Sequence, residues 1–316
     1  MESVNNAAHD LYLQIGEPRG AARGARVLVV GEVLWDLFPN AERLGGAPLN
    51  FAVHLSRLRH SPVLLSGVGS DDRGDETRRA ISALGLDTRL VQSTTRFKTG
   101  CARVHGETVG HATFSIERPA AYDAIELSPA LVAGVVAWNP AWLYYGTLFP
   151  ASHEPRAVLH ELLQSLPHAS RFYDVNVRSG FDRPDLVDDL LRAADVVKLN
   201  EEELEFVHHS LGLPAEPEAF CRVGAARYGW RAACVTLGAR GCAIRVGADY
   251  VEAQGCSVDV ADTVGAGDAF AAAFLHGIVS DWPAARIAPF ANRVGAFVAG
   301  VHGAIPEQTP GVILDI

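Results

Sequence analysis

The sequence has 316 residues, 48% of them hydrophobic, and a formal net charge of −10 at pH 7. This composition predicts a folded globular protein, with enough chain for one large α/β domain or two smaller ones. The negative charge argues against nucleic acid as the main partner, because phosphate backbones require clustered lysine and arginine. It also repels anionic ligands, so any site for such a ligand must depend on local amides, cations and helix ends.

The sequence shows no targeting or membrane-spanning pattern. It lacks a run of about eighteen apolar residues, and its N-terminus lacks a basic region followed by an apolar stretch. We therefore expect no membrane partner and no export. The five cysteines are odd in number and show no Cys-x-x-Cys spacing, so neither a disulfide framework nor a zinc site is expected. A reducing cytoplasm is the predicted location.

The first predicted strand follows an N-terminal tail. Residues 1–25 carry several glycines among polar and small residues, which is typical of a flexible terminus. Residues 26–33 are almost continuously apolar and predict a buried strand of a parallel sheet. Asp36 comes just beyond this strand, where ligands of open α/β sheets collect. Its carboxylate suits two sugar hydroxyls, although a turn or capping role fits the position equally well.

A glycine pair, Gly45 and Gly46, precedes the next predicted helix. From Asn50 onward the apolar residues recur on one helical face, so the glycine pair leads into the helix start. The Asn50 side chain offers both a donor and an acceptor, which suits a neutral polyol.

Residues 97–118 alternate polar and apolar side chains and predict a hairpin within an otherwise alternating α/β chain. Arg103 lies on this hairpin, either in contact with substrate or as a solvated strand residue. The glycines of residues 67–74 lack the spacing of a dinucleotide-binding turn and are interpreted as structural.

The strand predicted over residues 171–178 carries three polar side chains. Asp174, Asn176 and Arg178 would share one side of it, because alternate residues of a strand point to the same face. Buried polar groups require partners, so we expect a polar network here. Three roles remain open for Arg178: binding a substrate carboxylate, binding a nucleotide phosphate or forming an internal ion pair.

Three further patterns precede the last part of the chain. Residues 195–204 predict a strand that runs into an acidic helix start, where acidic residues are favoured in any case. Residues 231–242 predict a strand, a turn and a second strand. Residues 256–260 alternate in the period-two manner of a half-buried strand.

Residues 262–270 follow, with the sequence Asp-Thr-Val-Gly-Ala-Gly-Asp-Ala-Phe, and lead into a predicted helix. Gly265 and Gly267 permit a sharp turn and a close backbone approach. A glycine turn that opens a helix presents unpaired N–H groups and the positive end of the helix dipole, which favour an anion. Asp268 adds a carboxylate, either as a helix cap or as a base that acts while an anion forms during phosphoryl transfer.

This nine-residue run resembles the signature of the ribokinase-like (PfkB-type) sugar kinases. Four other segments are similar to elements of that family and occur in its order: Gly-Gly-Ala-Pro-x-Asn at 45–50, Asp-x-Asn-x-Arg at 174–178, Asn-x-x-Glu at 200–203 and Thr-x-Gly-x-x-Gly at 236–241. The resemblance covers residues 26 to about 310. It implies an α/β fold with a doubly wound, mostly parallel sheet and a small β-lid, as a single kinase domain over residues 26–316.

In such kinases the lid covers the sugar and excludes water, which competes as a phosphoryl acceptor. By this resemblance, the lid of this chain would come from segments of about 37–48 and 97–118. The lid would also be the contact of a homodimer.

The resemblance implies roles for individual residues. Asp268 would be the general base, and the anion hole would consist of the amides of Gly265, Ala266 and Gly267. The sugar would be held by Asp36, Gly45, Gly46, Asn50, Arg103 and Arg178. ATP would be bound by Asn200, Thr236, Gly238, Gly241, Gly265, Gly267 and Asn292. Glu203 would hold Mg²⁺ through water, and a monovalent cation, expected to be K⁺, would be bound by Asp262, Val264, Val298 and Gly303. Glu307 departs from the small hydroxyl residue that some relatives have at its position.

The implied activity is transfer of the γ-phosphoryl group of ATP to a sugar hydroxyl, with fructose as the first expected substrate. 2-Keto-3-deoxygluconate is an alternative, because Arg103 and Arg178 would pair with its carboxylate, and nucleosides are another. A catalytically idle sugar or nucleotide sensor on the same fold is an alternative from a different class. The P-loop and the protein-kinase motifs are missing from the sequence.

Overall fold

The computed structural model of the protein describes residues 24–105 and 113–307. Within them, nine strands form a large central sheet: Arg26–Val30 (β1), Ser61–Gly69 (β4), Val91–Thr94 (β5), Trp142–Gly146 (β8), Ser170–Asp174 (β9), Val196–Asn200 (β10), Ala232–Thr236 (β11), Gly241–Val246 (β12) and Asp249–Gln254 (β13). Their order is β13-β12-β11-β10-β9-β8-β1-β4-β5. Pairing is parallel from β5 to β11 along this order, and β12 and β13 continue it antiparallel at one edge.

Helices cover both faces of this sheet. One face packs against Ala47–Arg57 (α1), Asp72–Ala83 (α2), Ala266–Val279 (α8) and Ala284–Ala299 (α9). The other packs against Pro129–Trp138 (α3), His153–Ser165 (α4), Pro184–Ala193 (α5), Glu201–Leu211 (α6) and Pro217–Tyr228 (α7). This is the doubly wound, mostly parallel α/β architecture that the sequence predicted.

The apolar strands divide their side chains between two cores. Val27 and Val29 belong to the core on the α1 side, whereas Leu28 and Val30 belong to the core on the opposite face. Successive strand residues point to opposite faces, so a strand covered on both faces must be apolar throughout. Each large apolar side chain that is fully buried in these cores contributes about 1.5–3 kcal/mol to folding.

A second, small sheet consists of Leu34–Phe38 (β2), Ala41–Gly45 (β3), Gly100–His105 (β6) and Thr113–Ile116 (β7), in the order β3-β2-β6-β7. Its first segment spans 34–45 instead of the predicted 37–48, because α1 already begins at Ala47. The strand β1 ends at Val30, so Asp36 lies inside β2 and not just beyond a strand of the large sheet. Residues 106–112 of the predicted lid and 1–23 of the predicted tail lie outside the described residues.

Two predicted strands differ from the structure. The strand β9 ends at Asp174, and Asn176 has a positive φ of 37°, so Asn176 and Arg178 do not alternate with Asp174 on a strand. Residues 256–260 are exposed and lie outside both sheets, since they follow the edge strand β13 into a loop. Alternating polarity alone does not supply the neighbouring strand that a β-ladder requires.

Candidate active site

The turn over residues 262–268, hereafter the signature turn, opens helix α8. Gly265 caps this helix with a φ of 80°, a left-handed conformation that favours glycine. A methyl group on Gly265 would overlap the Cβ of Ala304, so the backbone also approaches its neighbour closely. Of the predicted anion-hole amides, that of Ala266 donates to the Thr263 carbonyl at 3.3 Å. The turn therefore has the predicted shape, and one of its amides has an internal partner.

Asp268 is buried in the first turn of α8 and accepts a hydrogen bond from Asn50 Nδ2 at its Oδ2, at 2.8 Å. The pKa of Asp268 is raised to about 6, chiefly by burial and next by the charge of Asp174. The hydrogen bond from Asn50 and the charges of Lys198 and Arg178 act in the opposite direction. An ionised carboxylate with this pKa is suited to general-base chemistry near neutral pH.

Helix α1 places Asn50 opposite Asp268. Phe51, the next residue, stacks on Tyr144 of β8 with ring centroids 3.8 Å apart, which fixes the helix on the large sheet. One turn later, His54 Nε2 donates to the Ala304 carbonyl at 2.9 Å, because a carbonyl oxygen only accepts. Asn50 is thus held by its own helix between the sheet and the segment that packs on Gly265.

The glycine pair lies against the small sheet and its entry. A methyl group on Gly45 would come 2.8 Å from Asp36 Oδ2, and one on Gly46 would come 2.6 Å from the Glu32 carbonyl oxygen. The pKa of Asp36 is raised to about 6, chiefly by burial, and the charge of Asp268 acts in the same direction. The predicted sugar-binding residues Asp36, Gly45, Gly46 and Asn50 therefore form one cluster with Asp268.

Glu32 is a buried carboxylate in this cluster to which the sequence analysis assigned no role. Burial raises its pKa to about 7, and its Oε2 has no hydrogen-bond partner among the described residues. The charges of Arg178 and Arg118 lower this pKa, while that of Asp268 raises it. The signal in the sequence was a glutamate close to the end of an apolar strand. Glutamate is almost never fully buried unless its charge is paired.

Arg103 and Arg178, both predicted to contact substrate, differ in their surroundings. In the small sheet, Arg103 pairs with Leu37, the residue after Asp36. Because successive strand residues point to opposite faces, the Arg103 side chain lies on the face of the sheet opposite to Asp36. It forms an exposed ion pair with Glu117 at 2.8 Å. Arg178 lies close enough to Glu32, Asp36 and Asp268 to lower the pKa of each. Only Arg178 therefore lies beside the cluster.

The predicted nucleotide residues Asn200 and Thr236 end the neighbouring strands β10 and β11 and are directly paired in register. Asn200 caps α6, where its Oδ1 accepts the Glu203 N–H and Glu203 Oε2 accepts the Asn200 N–H, each at 2.9 Å. The other Glu203 oxygen accepts the Val177 N–H at 2.9 Å. Glu203 is thus a capping residue, and its buried carboxylate has a pKa raised by burial to about 7.

Gly241 and Asn292 hold the turn after β11, which also contains Gly238, against β13. Gly238 begins a short 3₁₀ turn, and a side chain on Gly241 would overlap the Ala253 carbonyl. Asn292 Nδ2 donates to the carbonyls of Ala253 and Gln254, at 3.3 and 3.1 Å. Gly241 and Asn292 therefore have structural contacts in this turn, and the nucleotide role of all three residues remains a prediction.

Asp262 joins the two loops that were predicted to bind a monovalent cation. Its Oδ1 accepts the Val264 N–H at 3.0 Å, and its Oδ2 accepts the Gly303 N–H at 3.1 Å and an Arg43 N–H at 2.8 Å. The carbonyl of Val298, another predicted ligand, accepts the Val301 N–H at 3.2 Å. Arg43 is therefore the counter-charge of Asp262 in this structure, and the cation prediction remains a proposal.

Lys198 and Asp174 form a buried ion pair beneath the signature turn, with Nζ and Oδ1 3.0 Å apart. Tyr144 donates to the other Asp174 oxygen at 3.2 Å. The expected polar network at Asp174 is present, although Asn176 does not continue it. The sequence analysis did not identify Lys198 as the partner of Asp174. The signal in the sequence was a lysine within the apolar run of β10.

Among residues 24–105 and 113–307, no group of three or more His, Cys, Asp or Glu side chains is arranged to hold a metal ion. In the same ranges, no helix combines the length and the apolar content needed to cross a membrane.

Comparisons with known proteins agree with this fold. The profile of the pfkB family carbohydrate kinases matches residues 25–310. The chain is 28% identical over 301 residues to the fructokinase of Escherichia coli, covering 89% of this chain and 95% of the relative. It is 30% identical over 305 residues to the fructokinase of Klebsiella pneumoniae, covering 89% and 95%.

The fold is similar to the crystal structure of fructokinase with bound ATP from Xylella fastidiosa, with a TM-score of 0.77, 25% identity and coverage of 88% of this chain and 93% of that one. The large sheet with helices on both faces and the second small sheet are thus features of ribokinase-like kinases. Because the family match spans most of the sequence, the chain belongs to the pfkB family of carbohydrate kinases and is a sugar phosphotransferase.

Proposed function

We propose that the protein phosphorylates fructose with ATP and that Asp268 is the general base. The observation that carries this proposal is the buried Asp268 carboxylate, held by Asn50 at 2.8 Å on the first turn of a helix that a left-handed glycine opens. Asn50 occupies Oδ2, so Oδ1 would take the proton of the sugar hydroxyl as it attacks. Relatives named fructokinase, at 28% and 30% identity, support the choice of sugar.

The signature turn would stabilise the phosphoryl group as it is transferred. Its backbone N–H groups and the positive end of α8 favour negative charge, and phosphoryl transfer depends mainly on positioning and electrostatics. Asp36 and the backbone of Gly45 and Gly46 would hold the sugar beneath the small sheet. Asn200 and Thr236 at adjacent strand ends would bind ATP, as would the turn with Gly238 and Gly241 and the helix residue Asn292.

Mg²⁺ is part of the proposal, with Glu203 as its contact through water. Both Glu203 oxygens accept backbone N–H groups, yet each keeps a second lone pair, and Mg²⁺ commonly retains several waters in nucleotide sites. When bound, the ion neutralises charge on the triphosphate. K⁺ near Asp262 is proposed as well, in competition with Arg43 for the same carboxylate.

A homodimer through the small sheet and a cytoplasmic location complete the proposal. All five cysteines are free thiols, as expected for a reducing compartment. Mass photometry of the intact chain tests the dimer directly.

Fructose is preferred over 2-keto-3-deoxygluconate because Arg103, one of the two arginines proposed to bind the acid, pairs with Glu117 on the far face of the lid. The test is ADP release from Mg-ATP, with and without K⁺, across fructose, the keto acid, ribose, other hexoses and nucleosides. Turnover restricted to fructose supports the proposal, whereas turnover restricted to the keto acid overturns the choice of sugar. Binding measured by calorimetry without ADP release would instead identify a sensor.

A further inference from the structure

The ammonium group of Lys198 lies against the backbone of the signature turn, on the side of Gly267. A methyl group added to Gly267 would come 3.4 Å from Lys198 Nζ, so the ammonium group borders the backbone that precedes Asp268. The side chain is buried, with 5% of its surface exposed, in the otherwise apolar strand β10. Position alone therefore brings a fixed positive charge to the place where the proposed reaction develops negative charge.

The ammonium group keeps donor capacity beyond its ion pair. A lysine ammonium has three N–H donors, and within the described residues Lys198 donates one hydrogen bond, to Asp174. Burial lowers the pKa of Lys198, but the charges of Asp174, Glu203 and Asp268 outweigh it and raise the pKa above the ordinary value. The group is therefore a permanent cation at physiological pH.

We propose that Lys198 is a positioning residue of the kinase reaction, whose charge behind the signature turn stabilises the ionised Asp268 carboxylate and the phosphoryl group in transfer. Asp174 holds the ammonium at this place through the 3.0 Å ion pair, and Tyr144 holds Asp174. A charge in a low-dielectric site acts strongly and requires no reorganisation during the reaction. The inference rests on the proposed role of Asp268 as base.

The two members of the pair have opposite effects on Asp268. Among the charged groups that face Asp268, Asp174 raises its pKa, whereas Lys198 and Arg178 lower it. Lys198→Met should therefore move the acid limb of the kcat/KM profile up by about one pH unit, and Asp174→Asn should move it down by a similar amount. Loss of a purely structural ion pair would destabilise both variants in the same way and leave the limb unchanged.

Either single substitution leaves one charge buried without its partner and can prevent folding. The double variant Lys198→Met/Asp174→Asn removes both charges with little change in shape. We expect it to fold and to lose turnover by about 10- to 100-fold, while the KM for sugar changes less than about threefold. Asp195→Asn is the control, because Asp195 accepts the Arg171 N–H near the amino end of β9, whereas Asp174 lies at the carboxyl end of the same strand.

Turnover of the double variant within about threefold of the wild type would overturn the inference. The inference would also be overturned if Lys198→Met and Asp174→Asn fold and the acid limbs of their kcat/KM profiles do not move. The proposed function fails separately, if the wild type phosphorylates no sugar or if Asp268→Asn remains active.

Discussion

Arg43 on β3 donates a hydrogen bond to Asp262 of the signature turn at 2.8 Å, across 219 positions of the sequence. The contact joins the small sheet to the loop that precedes the proposed base. Its arginine side chain is 42% exposed and its aspartate 16% exposed, so solvent screens the attraction and the pair adds little to global stability. We expect the contact to fix the position of the small sheet relative to the candidate active site.

Replacing Arg43 with methionine should therefore affect sugar affinity more than folding. We expect the KM for sugar to rise several-fold with kcat nearly unchanged, and the free energy of unfolding to fall by less than about 1 kcal/mol. Steady-state kinetics and urea unfolding measure both quantities. Arg103→Met is the matched control on the opposite face of the same sheet, and an equal rise in KM there would contradict a specific role of the Arg43–Asp262 contact.

Asp268→Asn should lower turnover by about two to four orders of magnitude, the range for loss of a general base. Asparagine has nearly the shape of aspartate, so sugar binding measured by calorimetry should change little. In the wild type, the rate should fall as pH drops below about 6, because the base must be ionised and its pKa is raised to about 6. Near-normal turnover of the variant would eliminate Asp268 as the base.

Gly265→Ala should cost both stability and activity. The left-handed φ of 80° costs a non-glycine residue about 1–2 kcal/mol, and the new methyl group would also overlap Ala304. Gly85→Ala separates the two effects, because Gly85 has a φ of 82° and open space around it. Urea unfolding should show the larger loss for Gly265→Ala, and turnover should fall in that variant alone.

The paired histidines His60 and His276 should weaken the fold in acid. The Ala25 N–H donates to His60 Nδ1 at 3.0 Å, so the His60 proton is on Nε2, which donates to His276 Nδ1 at 2.9 Å. Burial lowers the pKa of His60 to about 4 and lowers that of His276 as well. The unfolded chain then binds protons below about pH 6.5 that the folded chain does not, and stability falls from there towards pH 4.

Buried carboxylates such as Glu32 have raised pKa values and therefore stabilise the fold as the pH falls, which opposes the effect of the histidines. Comparison of the wild type with His60→Asn separates the two effects. We expect the variant to be less stable at pH 7.5 but to lose less stability than the wild type between pH 7.5 and 5. Chemical unfolding at both pH values provides the measurement. Equal losses in the two proteins would show that His60 does not contribute.

Local sequence was enough to predict many elements of the fold and of the site. Continuous apolar runs predicted the parallel strands, because a strand covered on both faces must be apolar throughout. The glycines of 262–268 predicted the turn and the helix after it, since Gly265 adopts a backbone conformation that favours glycine. The strand predicted from the alternation over 256–260 was wrong, because a strand also needs a neighbouring strand to pair with.

The fold class, the turn with Asp268 and the residues around it follow from local sequence, because apolar periodicity and glycine conformations are properties of neighbouring residues. Which distant side chains meet depends on the tertiary fold. It set Asn50 against Asp268, Arg43 against Asp262 and Lys198 behind Gly267. It also turned Arg103 away from Asp36, since strand register fixes the face on which each side chain lies.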